Sequence, residues 1–331
     1  MNKTRIRLLV VVGVVVVAAI ITATYFTTVA RPPERVTLSI ATGGVGGVYY
    51  PVGGAFASLW NKHLGPTVTA TVEATTASVD NIKLLRDGKV EVAFTLPDTA
   101  YDAYRGTGAF SDSRVEVRAL AVLYNNYQHI VTLEGKGITK ISDLRGKRVS
   151  TGAPGSGTEV IALRILRAAG IDPDKDIVRE RLGVRESADA LKDGKIDAFF
   201  WSGGIPTAAV AELASAPGLK VVLLPSAEVV DKLREQYGPI YFVAKIPART
   251  YAGQDRDIEV LTATNLLVVH ARMPESLAYQ LTKTLFDNMN EIMGAHAVIK
   301  DIKLEFHKSI YSPIPFHEGA IRYYREKGVW R

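Results

Sequence analysis

One stretch of this chain is written twice. Leu85-Arg-Asp-Gly-Lys-Val-Glu-Val-Ala-Phe recurs, position for position, as Leu191-Lys-Asp-Gly-Lys-Ile-Asp-Ala-Phe-Phe. Each copy reads as a helix end, an Asp-Gly stop and an apolar strand. Upstream of each, a strand runs into a glycine loop and a helix: Ala41-Thr-Gly-Gly-Val-Gly-Gly in the first half, Ser150-Thr-Gly-Ala-Pro-Gly-Ser-Gly in the second. A chain built of two such halves is expected to fold as two lobes with their loops facing each other across a cleft. Strands alternating with helices argue an α/β architecture with mostly parallel sheets, and the arrangement suits a protein that clamps a ligand.

The 331 residues suit two domains of ordinary size, and 47% hydrophobic against 22% charged residues is a globular balance. The net charge of +6 invites a nucleic-acid reading, but its distribution removes it. Four of the 40 basic residues (Lys3, Arg5, Arg7 and Arg31) are the only charges in residues 1–31, which leaves 36 basic against 34 acidic residues in the rest. No basic stripe remains, so no nucleic-acid partner is expected. Lys3, Arg5 and Arg7 precede an apolar run over residues 8–26, the pattern of a signal peptide or an N-terminal membrane anchor. The anchor is the preferred reading, and either way the following chain is placed outside the cytoplasm. There is no cysteine, so neither disulfide nor thiol chemistry is available.

The second glycine loop carries the most chemistry. Ser156 and Glu159 stand at capping-box spacing, so a helix starts there with its N–H groups pointing into the loop and offering a seat for an anion. The first loop lets a ligand approach the backbone closely. Of Tyr49 and Tyr50, Tyr50 is chosen for the cleft because it directly precedes Pro51, where a helix is expected to start. In open α/β sheets ligands sit beyond the carboxyl ends of strands. Those ends supply Thr75 and Ser78, then Asp98, then Trp201, Ser202 and Gly204. Packing or capping explains each of these residues singly about as well as ligand contact does; the set is what converges. Competing chemistries fail on spacing: Tyr49 and Val160 stand where a dinucleotide fingerprint needs its last glycine, and no lysine follows a glycine run as in a P-loop. Phe200 occupies the glycine position of a nucleophile elbow before Ser202. No catalytic constellation, metal site or cofactor is expected, and Asp98 with Asp102 reads as solvated surface rather than a cation site.

These residues resemble the solute-binding subunits of TRAP transporters of the TAXI type. The carriers are Ala41-Thr-Gly-Gly-Val-Gly-Gly-Val-Tyr-Tyr-Pro, Ser78-Val-Asp-Asn-Ile, Gly152-Ala-Pro-Gly-Ser-Gly-Thr-Glu, Asp197-Ala-Phe-Phe-Trp-Ser-Gly-Gly and Pro315-Phe-His-Glu-Gly-Ala, spread from Leu38 to the C-terminus. The resemblance implies a two-lobed periplasmic-binding-protein fold of type II-like form, preceded here by the N-terminal hydrophobic helix. It also implies a non-enzymatic receptor that closes on a small carboxylate, a glutamate-like amino acid or a C4/C5 dicarboxylate, and delivers it to TRAP membrane permease subunits. Other TRAP receptors grip carboxylate with an arginine, and neither glycine loop here contains one. Backbone N–H groups, hydroxyls and helix ends are then left to hold an anion.

The expected organisation is a signal or anchor over 1–31, lobe one over 32–123 and 269–331, and lobe two over 124–268. Ligand is expected between Gly46, Tyr50, Thr75, Ser78 and Asp98 on one side and Gly155, Ser156, Gly157, Thr158, Trp201, Ser202 and Gly204 on the other. Two other classes stay open: an anchored extracytoplasmic sensor module, and an ABC-type receptor for a sulfonate or pyrimidine-like ligand.

Overall fold

A computed structural model of the chain describes Gly13 and residues 15–17, 35–65, 67–305 and 312–330. Most of the apolar run over 8–26, and the Arg31-Pro-Pro-Glu segment, lie outside the described residues. Among the described residues no helix is long and apolar enough to cross a membrane.

The duplicated stretch builds the same unit twice. In the first half β1 (Val36–Ala41) lies parallel to β2 (Val68–Glu73) and β3 (Val92–Thr95). In the second, β5 (Arg148–Ser150) lies parallel to β6 (Val178–Glu180) and β7 (Ala198–Gly203). Helices α1 (Tyr49–Leu64), α2 (Ser78–Arg86) and α3 (Pro97–Arg105) belong to the first unit. Helices α4 (Gly157–Ala168), α5 (Val184–Lys192) and α6 (Ala208–Ala214) belong to the second.

The repeat's sequence accounts for its geometry. Gly88 and Gly194 take positive φ, +68° and +72°, and end α2 and α5 with matching turns, Gly88 N donating to Leu85 O and Gly194 N to Leu191 O. Three residues on, the acid at the equivalent position clips the neighbouring strand. Glu91 accepts from Ser39 N at 2.7 Å and Asp197 from Arg148 N at 2.9 Å. Both strands that follow are buried on both faces, as parallel strands are: Val92, Ala93 and Phe94 in one, Ala198, Phe199 and Phe200 in the other.

Two long strands join the halves. β4 (Val117–Leu133) and β10 (Ile258–His270) run antiparallel through the whole molecule. They give one sheet of order β2-β1-β3-β10-β4-β7-β5-β6, with β8 (Val221–Leu223) on β4 and β9 (Phe242–Ile246) on β10. The sequence reads β4 as two segments, Leu120–Tyr124 and Ile130–Leu133; it is continuous. α7 (Val230–Tyr237) covers the second lobe, while α8 (Glu275–Asp287) and α9 (Glu318–Glu326) pack on the first.

Leu266, Leu267, Val268 and Val269 lie in the first lobe's core, whereas Leu261 and Ala263 lie in the second's. The return crossing is therefore near Asn265, a few residues before the expected boundary at 268. The sequence reads a strand only over Thr264–His270, whereas β10 begins at Ile258 and has already spanned the second lobe by Asn265. The outward crossing runs through Tyr124–Tyr127, where β4 leaves the first core and begins pairing with β7.

Prediction for the repeated turns. Gly88→Ala and Gly194→Ala each place a Cβ at positive φ, at a cost of roughly 1–2 kcal/mol. The turns sit in separate lobes, so the double variant should lose the sum of the two in urea unfolding. A double variant no less stable than either single one contradicts the independence of the two units.

Candidate ligand-binding cleft

The lobes meet around a cavity of about 260 Å³. Part of their contact is made by backbone. The second and third N–H groups of α2, of Val79 and Asp80, both donate to Gly155 O across the cleft at 3.1 Å. Ala209 N donates to Gly46 O at 3.4 Å, and Leu96 of the first lobe packs into the second lobe's core. Gly157 is glycine for this reason: a Cβ there would lie 2.6 Å from both Leu96 Cδ1 and Ser78 Oγ. Gly47 has the same role opposite Trp201, whose ring would stand 2.9 Å from an added Cβ.

The N-terminal ends of α1, α2, α4 and α5 all line the cavity, at Val48-Tyr49, Ala77-Ser78, Gly157-Thr158 and Val184-Arg185. Each brings the positive end of a helix dipole and first-turn N–H groups that have no partner within the helix, although α2 gives those of Val79 and Asp80 to Gly155 O. Ser156 caps α4 through Glu159 N at 3.0 Å.

The side-chain hydroxyls around the cavity are held in place. Thr75 donates to Asn81 Oδ1 at 2.5 Å, Thr158 Oγ1 accepts from Ser202 N at 3.2 Å, and Ser202 donates to the Gln128 side chain. Trp201 Nε1 donates to Thr207 Oγ1 at 2.9 Å, which donates to Gly204 O at 2.8 Å. Tyr49 packs on Phe94 with ring centroids 5.1 Å apart and donates to Asn265 Oδ1 at 2.6 Å. Burial pushes the Tyr49 phenol far above its ordinary range, so it stays a neutral donor.

Of the residues expected at the cleft, Gly46, Thr75, Ser78, Ser156, Gly157, Thr158, Trp201 and Ser202 line the cavity. Tyr50, Asp98, Gly155 and Gly204 do not. Tyr50 is displaced because α1 starts at Tyr49 rather than at Pro51, which puts Tyr49 on the cavity side of the first turn. Gly155 gives its carbonyl to α2 instead. Gly204 is packed away: an added Cβ would lie 2.7 Å from Val298 Cγ1 and 3.1 Å from Tyr124 Cε2.

Asp98 is fully buried, and neither it nor Asp102 is bare solvated surface. Both bind Arg164 across the lobes, Asp98 at 3.3 Å and Asp102 at 2.6 Å, and Tyr241 donates to Asp98 at 2.7 Å. Arg164 also accepts the face of Tyr237, 3.9 Å from the ring centroid. Burial raises the Asp102 carboxyl against the pull of Arg164. This cluster holds the lobes together away from the cavity.

Sequence reading missed Asn126, Arg185 and Glu186, all of which line the cavity. Two signals were present. Asn125-Asn126 is a polar pair directly after the apolar run Ala119–Tyr124. The loop after β6 is the counterpart of the Thr75–Ser78 loop after β2: the repeat carries that loop onto Arg181–Val184, directly before Arg185. Its guanidinium lies at the rim, paired bidentately with Glu212 at 2.8 and 3.1 Å. Among the described residues no group of His, Asp and Glu side chains could hold a metal ion.

Residues 40–328 match the sequence profile of the NMT1-like family. The chain belongs to that family. The two lobes and cleft described above have the periplasmic-binding form of that family. A protein from Bordetella bronchiseptica RB50 is similar in structure, 16% identical over 91% of each chain with a TM-score of 0.53. The periplasmic aliphatic sulphonate binding protein of Escherichia coli is 15% identical over 82% of this chain and 80% of its own, with a TM-score of 0.44. A substrate binding protein of an amino acid ABC transporter is 14% identical over 80% of this chain and 98% of its own, with a TM-score of 0.46.

Two predictions follow from buried groups around the cleft. Arg164→Leu strands Asp98 in the interface, at a cost of about 3–5 kcal/mol; thermal unfolding should fall and the radius of gyration in X-ray scattering should rise. The second concerns His129, whose Nε2 lies 2.8 Å from Tyr251 Oη, which accepts from Thr207 N. Burial pushes His129 down to about 4. The unfolded chain therefore binds its proton first as pH falls through 6.5, and native stability drops between pH 6.5 and 4 by up to roughly 3 kcal/mol. His129→Gln should flatten that part of the profile; an unchanged slope refutes the assignment.

Proposed function

We propose that the protein is the extracytoplasmic receptor of a TRAP-type secondary transporter, closing on a small carboxylate and passing it to membrane permease subunits. The observation that carries this reading is the convergence of α1, α2, α4 and α5, by their N-termini, on one cavity between two lobes. Such ends favour an anion, and a cleft shared by both lobes lets the bound solute stabilise the closed form. The TRAP assignment itself rests on the TAXI-like motifs, and the ligand classes they imply are glutamate-like amino acids and C4/C5 acids. Residues 8–26 are read as the export signal or the anchor that keeps the receptor at the membrane.

An ABC-type receptor is the second reading, because donors that suit a carboxylate suit a sulfonate equally well.

The test is a thermal-shift screen of carboxylates, amino acids, sulfonates and pyrimidines on the purified protein. A carboxylate should raise the melting temperature in a concentration-dependent way, by the equivalent of about 2.7 kcal/mol at a hundredfold excess over its Kd. Response to pyrimidines or sulfonates alone removes the carboxylate assignment.

A further inference from the structure

We infer that the cavity takes a solute with a single anionic head on a mostly apolar body, and that the Asn126 side-chain amide donates to that head. The inference rests on the receptor reading above and narrows its ligand class.

Asn126 is 2% exposed, lines the cavity, and its Nδ2 has no hydrogen-bond partner. Among the described residues only Tyr124 Oη shares that condition. Buried polar groups are almost always paired, and an unpaired one beside a cavity marks the place of an absent partner. That partner is an acceptor, since an amide nitrogen only donates. The Thr75 and Ser202 hydroxyls already donate within the protein, to Asn81 and Gln128. The Asn126 amide and the helix N-termini are thus donors left for a ligand.

Charge sets the number of ionised groups the solute can carry. Among the described residues, the charged side chains lining the cavity are Arg185 and Glu186, on the first turn of α5. Arg185 already holds Glu212 at the rim, and Glu186 is solvent-exposed. An ammonium inside would meet helix N-termini, with the solvent-exposed Glu186 as the one carboxylate in the lining, and a second carboxylate would find no unpaired cation there. Val48, Leu96, Leu182 and the Trp201 ring supply apolar wall for the remainder. Monocarboxylates and monosulfonates share the required head.

The experiment titrates the full-length protein by calorimetry with butyrate, 4-methyl-2-oxopentanoate, benzoate, butanesulfonate, succinate, 2-oxoglutarate, L-glutamate and L-leucine. A monoanion of the first four should bind most tightly. With that probe Asn126→Leu should weaken binding roughly 10- to 100-fold, the worth of a hydrogen bond to a charged group. Asn126→Asp, which sets a second anion against the head, should weaken it further. The ligand-free melting temperature of Asn126→Leu should stay at or above that of the parent, because the variant removes an unpaired group; a purely structural asparagine would give a fall.

Tightest binding by L-leucine, L-glutamate, succinate or 2-oxoglutarate, or unchanged affinity in Asn126→Leu, overturns this inference while leaving the carboxylate receptor standing. Tightest binding by butanesulfonate upholds the single-anion inference and shifts the function to the ABC-type reading. No response to any anion overturns both.

Discussion

The structure depends on how β4 and β10 pass from one lobe to the other. Their ladder pairs Asn125 with Thr264 and Val122 with Leu266, so Leu123 and Tyr124 together face the single residue Asn265. This is a β-bulge, which bends the strand and leaves backbone groups without ladder partners. Asn265, fully buried, supplies the missing bond by donating from Nδ2 to Tyr124 O at 3.0 Å. A second irregularity leaves Leu120 extra on β4, and Tyr324 of α9 donates to Leu120 O at 2.7 Å. Side chains thus replace ladder bonds where the strands must bend, and the crossing stays continuous without being a flat sheet.

The same asparagine ties the crossing to the cavity. Asn265 Oδ1 accepts from Tyr49, whose ring lines the cleft, so one amide touches both the bent backbone and the ligand wall. On the other side, Trp201 is linked through Thr207 and Tyr251 to His129, which sits on β4 directly opposite it. Each lobe therefore presents an aromatic wall whose position is set by hydrogen bonds reaching β4 or β10. Movement at the crossing cannot leave the walls where they are.

How much of this the sequence discloses varies with the range of the interaction. The duplicated Asp-Gly turn, the glycine loops and the Ser156 cap are local, and the fold class and most of the cavity wall follow from them. Tyr49 and Tyr50 differ only by the phase of one helix turn, and that phase is set by Asn265, far along the chain. Asp98 was sought at a strand end, and its strand-end position is real. Its partners Arg164 and Tyr241 come from the other lobe, and no periodicity connects residues across a gap. Leu120–Tyr124 and Ile130–Leu133 were legible as strands, but the polar residues between them hid their continuity. Asn126, hidden there too, is polar because it faces a cavity.

Closure and affinity are separable in this geometry. The Asp98–Arg164–Tyr241 cluster and the α2–Gly155 bonds join the lobes without touching a solute, so they bias the closed form whether or not ligand is present. A ligand shifts that balance only through contacts that exist in one state and not the other. Tyr49 and Ser78 belong to the first lobe, Gly157 and Trp201 to the second, and a solute reaches both sets only when the cleft is shut. Asn126 lies on β4 at the crossing and belongs to neither wall. A bond to its amide would therefore favour an anionic head without itself bridging the two walls, while the walls set the size of solute that both can touch.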